Sequence, residues 1–309
     1  MKKTTAITAA LGAAAAAIIV AIAAPSAAHA APSCTTSTGG SVFYPGASAS
    51  KVYNDRFSQG FDLRLLSTHV PQGISYFGDM SVHLTSHWNR TAGGRARINA
   101  QAWDGVDKGE FDIYETHAGG IAVASGYLYV SGGGQKIRRY NLDNVRTALE
   151  TTGVPYLAQS GEQETNGNSF LTAGPGGTVW AGNFDDTTQK SMWEYSVNGD
   201  GTLSVKSGPY AVPPRTQGVV VTDTHFIFST SYGRTNLSYI FVVKRGYGNT
   251  WANATGACFS APSMTQGLSR VGTVVYVNYE SGSAEYTGAR NVINHVHKAS
   301  LQSLLDLAP

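Results

Sequence analysis

Cysteine and charge are both scarce in this chain. Its 309 residues include two cysteines, Cys34 and Cys258, and only 14% are charged. Two cysteines so far apart form no CxxC pair, so a thiolate metal site has no ligand set. Lys and Arg number 22 against 20 Asp and Glu, with no clustered basic excess. That balance excludes a nucleic-acid surface, which needs concentrated positive charge. No P-loop, GxSxG or HExxH motif is present.

Long apolar runs are missing as well, with one exception. Ala6 to Ala24 is uncharged and apolar, follows Lys2 and Lys3, and precedes Ala28-His29-Ala30, an A-x-A cleavage pattern. Residues 1–30 therefore read as a signal peptide, and the expected product is secreted and extracellular, with no membrane attachment after cleavage. Losing Lys2 and Lys3 leaves twenty basic and twenty acidic residues. Ala31-Pro32-Ser33 before Cys34 lacks the leucine of a lipobox. In an oxidising compartment Cys34 and Cys258 are expected to pair, the alternative being two buried free thiols.

What the sequence does contain is a repeat. With the Gln of a Gln-Gly lead-in, or its replacement, as position zero, copies start at Gln72, Gly119, Ser169, Gln217 and Gln266, separated by 47, 50, 48 and 49 residues. Each copy holds a short apolar strand, a turn and a second strand: Ser81 to Leu84, Leu128 to Ser131, Thr178 to Ala181, Phe226 to Ser229 and Val275 to Asn278. Third strands are expected at 95–100, 135–140, 191–197, 238–243 and 291–296. A fourth strand precedes the next lead-in. This period, built from strands, is that of propeller blades. The fold class is all-β: a five-bladed β-propeller of four-stranded antiparallel blades spanning 61–309, preceded by a loop-like wrapping arm at 31–60.

A fourth-strand equivalent, GFDLRLLSTHVPQG, stands before the first copy, and none follows the fifth. Phe61 to Leu66 is therefore expected to complete the last blade and close the ring. Cys258 falls in the outer strand of blade four, so a bridge to Cys34 would fasten the arm there. Val219, Val220, Val221 and Ile121, Ala122, Val123 are apolar on both faces, as strands sandwiched between neighbouring sheets should be. Gly73, Gly120, Gly218 and Gly267 recur where backbones near the axis must approach closely. Phe170 breaks that pattern and marks blade three as irregular.

Propeller geometry brings the start of each first strand and the end of each second strand to one face near the axis. The candidate ligand-binding residues there are Gln72, Ser86, Trp88, His117, Asn183, Phe184, Arg215, Gln217, Ser231, Tyr232, Gln266 and Glu280. Glu280 is the sole carboxylate at its repeat position, and Arg215 and His117 are the ionisable groups just ahead of their own strands. These three are the catalytic candidates, able to form an acid–base pair or a solvated ion pair, with Arg215 expected to face Glu280. Trp88, Phe184 and Tyr232 could stack on a flat ligand or cover a neighbouring blade. The recurring Gln has a structural role open to it: satisfying backbone groups of the next blade. Asp104, Asp107, Glu110 and Asp112 look like a calcium loop but lack a recognised ligand spacing. No cofactor or metal is otherwise implied.

The pattern TQGVVV followed by FSTSYGR resembles the blades of secreted bacterial five-bladed β-propeller proteins, most without an assigned activity. The resemblance covers Phe61 to about Val296. The same segment is similar to the first blade of plant-type glutaminyl cyclases. That family carries a glutamate twelve residues after the Gln, where this chain has Leu84, Ser131, Ala181, Ser229 and Asn278. Glu280 would be its displaced counterpart. Two functions follow as expectations. One is a secreted, monomeric binding module for an extracellular carbohydrate, peptide or small molecule. The other is a hydrolase or acyl-transfer enzyme, glutaminyl-cyclase-like, using Glu280 with Arg215 or His117.

Overall fold

The computed structural model describes residues 31–36 and 50–309. The expected signal peptide and residues 37–49 of the arm lie outside the described residues. Two strands precede the blades, β1 (Cys34–Thr35) and β2 (Phe57–Asp62). Blade one comprises β3 (His69–Phe77), β4 (Val82–Asn89), β5 (Ala96–Gln101) and β6 (Asp107–Ile113). Blade two comprises β7 (Ile121–Ala124), β8 (Tyr127–Ser131), β9 (Lys136–Asn141) and β10 (Gly161–Glu164). Blade three comprises β11 (Phe170–Ala173), β12 (Val179–Gly182), β13 (Lys190–Val197) and β14 (Leu203–Val212). Blade four comprises β15 (Thr216–Val221), β16 (His225–Thr230), β17 (Ser238–Lys244) and β18 (Gly256–Ala261). Blade five comprises β19 (Thr265–Val271), β20 (Val274–Tyr279) and β21 (His295–Ser300), completed by β2.

Within each blade the strands pair antiparallel in chain order. The innermost strands β3, β7, β11, β15 and β19 contact one another in a closed cycle, so the chain is a five-bladed β-propeller. The doubly apolar inner strands are buried on both faces: Val219, Val220, Ile121 and Ala122 are all at most 2% exposed. Each buried Val or Ile among them contributes about 1.5–3 kcal/mol.

Closure uses an N-terminal strand, shifted by four residues from expectation. The strand is Phe57–Asp62 rather than Phe61 to Leu66, and it pairs with β21, which spans His295–Ser300 rather than 291–296. Both offsets have one cause. Residues 280–294 form an extended connection with a 3-10 turn at Ala284–Tyr286, and this delays the third strand of blade five. Phe57 and Phe61 then fill the core beside Val296 and Ala299. The arm is also more regular than a loop, because Lys51–Arg56 is a helix (α1) capped by the Ser50 hydroxyl. A second helix, α2 (Leu142–Glu150), packs Val145, Ala148 and Leu149 against blade one. A third, α3 (Leu301–Leu305), buries Leu301 and Leu304 under the closing sheet.

The cysteines are bonded, and the bond staples the arm. Cys34 lies in register with Cys258 as β1 adds in parallel to the outer edge of blade four. The two residues are 224 apart in sequence. In the chain-entropy model a loop of that order is worth about 5 kcal/mol. The double substitution Cys34→Ser with Cys258→Ser should therefore lower unfolding free energy by about this amount. Denaturant titration with and without reductant checks it, and reductant should not affect the double variant.

Three buried imidazoles give the fold a pH dependence. Burial pushes His87 and His297 down to about 3 and His83 to about 4. Coulombic repulsion from His69 and Arg97 adds to the effect on His87, and from His295 on His297. Below the unfolded-state value of 6.5 the unfolded chain takes up protons that the folded chain refuses. Stability should fall as pH drops from 6.5 toward 4, at about 1.4 kcal/mol per pH unit for each such group. Thermal melts across that window test the slope, which His87→Gln should make shallower.

Candidate functional site

The site begins with the lead-in to each innermost strand. In blades one, four and five the register shifts at the Gln-Gly pair, between Pro71 and Ile74, Thr216 and Gly218, and Thr265 and Leu268. The blade-two ladder begins past its Gly119-Gly120 lead-in, at Ile121, and blade three pairs regularly from Phe170. The extra residue presents Gln72, Gln217 and Gln266 toward the axial face. Glycine must follow because backbones touch: a Cβ on Gly267 would lie 2.8 Å from the Cα of Gly73, and one on Gly218 2.7 Å from the Leu268 nitrogen. Gly120 of blade two keeps the close approach, a Cβ there lying 2.2 Å from the Leu171 nitrogen, so the glycine pattern fails in blade three alone. At Phe170 the ring itself occupies the space beside Gly182.

The structural demand between blades is met by a different residue from the one expected. Twelve residues after the Gln, the Ser229 hydroxyl donates to the Gln266 carbonyl (2.5 Å) and the Asn278 amide donates to the Gln72 carbonyl (3.1 Å). Ser86 likewise donates to the Ala118 carbonyl (2.8 Å) and accepts from Gly73. The Gln side chains are therefore released for other partners. Gln217 donates to the Ser231 carbonyl at 3.2 Å, whereas Gln72 donates to Oε2 of Glu280 at 2.9 Å.

Glu280 follows β20 and is only 9% exposed. Its carboxyl also takes side-chain hydrogen bonds from Gln266 and from Tyr286, the last residue of the blade-five 3-10 turn. Burial pushes Glu280 up to about 7, and the three donors pull the other way. The same burial, together with the adjacent carboxyl, pushes the Tyr286 phenol up, so it remains protonated and donating. Near neutral pH Glu280 is thus divided between acid and carboxylate.

Glu280 opens into an axial cavity of about 630 Å³. Of the predicted residues, His117, Phe184, Gln217, Tyr232 and Glu280 line it. Desolvation lowers His117 from the ordinary imidazole value, and its ring stacks on Trp88 at 5.6 Å. Phe184 and Tyr232 form an aromatic wall, their centroids 6.2 Å apart. Gln72 and Gln266 act on the cavity through Glu280, while Ser86 and Trp88 are bound into the walls. Asn183 donates to the Asn166 carbonyl at 2.7 Å, and the Ser231 amide donates to Arg215.

Arg215 is not placed as expected. Its backbone has φ 68°, its Nε donates to the Asp186 carbonyl at 2.8 Å, and its guanidinium lies over the Tyr232 ring at 5.6 Å. It braces the aromatic wall and does not line the cavity with Glu280. Asn168 and Ser169, just ahead of and at the start of the third copy, line the cavity as their repeat position predicts, whereas sequence reasoning missed Tyr286, Arg234 and Ser131, which line it too. The available signal for Tyr286 was the length of the 280–294 connection, the longest between second and third strands. The carboxylates of the suspected calcium loop are engaged elsewhere: Arg97 pairs with Glu110 and Asp112, Arg64 with Asp107, and Asp104 accepts from the Val106 amide. Among the described residues no helix is long and apolar enough to cross a membrane.

No family model and no curated sequence matches the chain. Its similarities are to solved structures at low identity. Glutaminyl cyclase from Myxococcus xanthus aligns at 8% identity and TM-score 0.49, over 79% of this chain and 97% of that one. A WD40 β-propeller domain aligns at 10% and 0.41, over 79% and 97%. A beta-xylosidase aligns at 9% and 0.42, over 78% and 94%.

The donors around Glu280 make a signed prediction. Removing one that favours the carboxylate should raise the acid further, so Gln72→Ala and Tyr286→Phe should each move Glu280 upward from about 7. Carboxyl carbon NMR titration reads this directly, and a downward shift would contradict the assignment.

Proposed function

We propose that the axial cavity is an acid–base site performing acyl transfer on a small amine- and amide-bearing substrate, with Glu280 as the proton carrier. The observation that carries this reading is a buried carboxyl held by two glutamine amides and a tyrosine, poised near 7, at the wall of a cavity. Glu280 is also the one carboxylate lining that cavity. Two-carboxylate glycoside hydrolysis, which needs an acid and a second carboxylate across the scissile bond, is disfavoured by that composition.

The reaction that fits is cyclisation of an N-terminal glutaminyl peptide. The terminal amine attacks the side-chain amide carbonyl, forming the ring C–N bond. Glu280 as carboxylate takes the proton released by the attacking nitrogen. It returns that proton to the departing amide nitrogen as the original C–N bond breaks, so ammonia leaves and the carboxylate is restored. A group titrating near 7 performs both transfers without a large uphill step. Phe184 and Tyr232 supply a flat apolar wall for the substrate's carbon chain.

A non-catalytic binding module is the second reading, favoured by the internal hydrogen bonds that already engage the Glu280 carboxyl. One variant separates the two. With a glutaminyl dipeptide as substrate, Glu280→Gln should lower kcat by about a hundredfold or more while leaving KM within a few-fold. The wild-type kcat should rise with pH through a single inflection near 7, as the accepting carboxylate forms. Binding that persists in both proteins with no turnover in either would favour the module.

A further inference from the structure

We infer that the cavity selects substrates carrying a negative charge about one residue away from the group that meets Glu280, and that Arg234 reads this charge. This rests on the acid–base reading of Glu280. Arg234 follows the FSTSYG segment of blade four and lines the cavity. Its guanidinium lies over the ring of Tyr286, 5.5 Å from the centroid, and the hydroxyl of that ring bonds Glu280. One aromatic ring therefore separates cation from carboxyl. The loop is pinned as well, since the Arg290 amide donates to the Arg234 carbonyl at 2.9 Å.

The guanidinium is short of partners. Of its five N–H donors, one reaches a protein acceptor, the Thr287 carbonyl at 3.3 Å from Nη1. Arg64, Arg90, Arg97, Arg138 and Arg146 each pair with a carboxylate, whereas none of the ion pairs among the described residues includes Arg234. Glu280 is the one carboxylate among the residues lining the cavity, and Arg234 is the one Lys or Arg among them. A planar fork with open donors matches a carboxylate in two-point contact. A dipeptide-sized acid meets both demands, placing its reacting amine and amide at Glu280 and its C-terminal carboxylate at Arg234.

The test compares glutaminyl-glycine as free acid and as C-terminal amide. Wild type should favour the acid about tenfold in kcat/KM, chiefly through KM, as expected for a partly exposed charge-assisted contact. Arg234→Ala should lower the acid to the level of the amide, and Arg234→Lys should retain part of the preference. Equal values for acid and amide in wild type, or an equal loss on both in Arg234→Ala, would overturn the inference. A readout without turnover is calorimetric binding of N-acetylglycine against N-acetylglycinamide. Preference for the acid in wild type and its loss in Arg234→Ala support the inference even if neither dipeptide is cyclised, and no preference sinks it. Failure of cyclisation alone sinks the acid–base reading instead.

Discussion

The junction of the fifth and first sheets is the contact on which the rest of the molecule depends. A propeller written as a linear repeat has two loose ends, and until they meet each end sheet leaves one face without a partner. Here the strand that the last blade lacks is supplied from ahead of blade one. Phe57–Asp62 therefore completes blade five, where an outer strand downstream of Ser300 would otherwise be needed. The bond between Cys34 and Cys258 and the bonds from Ser50 to Ser260 hold the preceding segment on blade four. The closing strand thus comes from an arm already anchored next door, which lowers the entropy cost of bringing distant parts of the chain together.

That same junction carries the candidate chemistry. Gln72 belongs to blade one, while Glu280, Gln266 and Tyr286 belong to blade five, so the Gln72 hydrogen bond on the carboxyl exists only when the ring is shut. The Asn278 amide on the Gln72 carbonyl ties the same two sheets a few residues away. Closure and site geometry are thus one structural event. A loosened seam would let water reach Glu280 and return it toward an ordinary carboxylate.

The repeat was legible because its cause is local and recurs. Inner strands must be apolar on both faces, turns must follow at constant offset, and glycine must stand where neighbouring backbones come within van der Waals contact. Side-chain direction was less legible. Arg215 was expected to face Glu280 because its place in the repeat lies at the axial face. A backbone φ of 68° swings its side chain toward Asp186 and Tyr232 instead, and nothing in the spacing of a repeat encodes a left-handed residue. Tyr286 escaped for the opposite reason. It sits in an insertion outside the repeat, and a pattern built from what recurs cannot weigh what appears once.

Blade four shows what the insertion adds. Its junction with blade five has the same parts as the junction of blade five with blade one: two bulged lead-ins, Gln217 and Gln266, with Ser231 at the position Glu280 holds in the next blade. There the Gln217 amide turns to the carbonyl of Ser231 itself, and the small hydroxyl needs no further support. Replacing serine by glutamate in such a place buries a charge, and two amides alone offset only part of that cost. The 280–294 connection supplies the third donor, Tyr286, and its ring underlies the Arg234 guanidinium. One insertion in one blade thus makes the buried carboxyl tolerable and sets the cation at a defined distance from it. The symmetric scaffold provides the cavity, and the single departure from symmetry provides what could act within it.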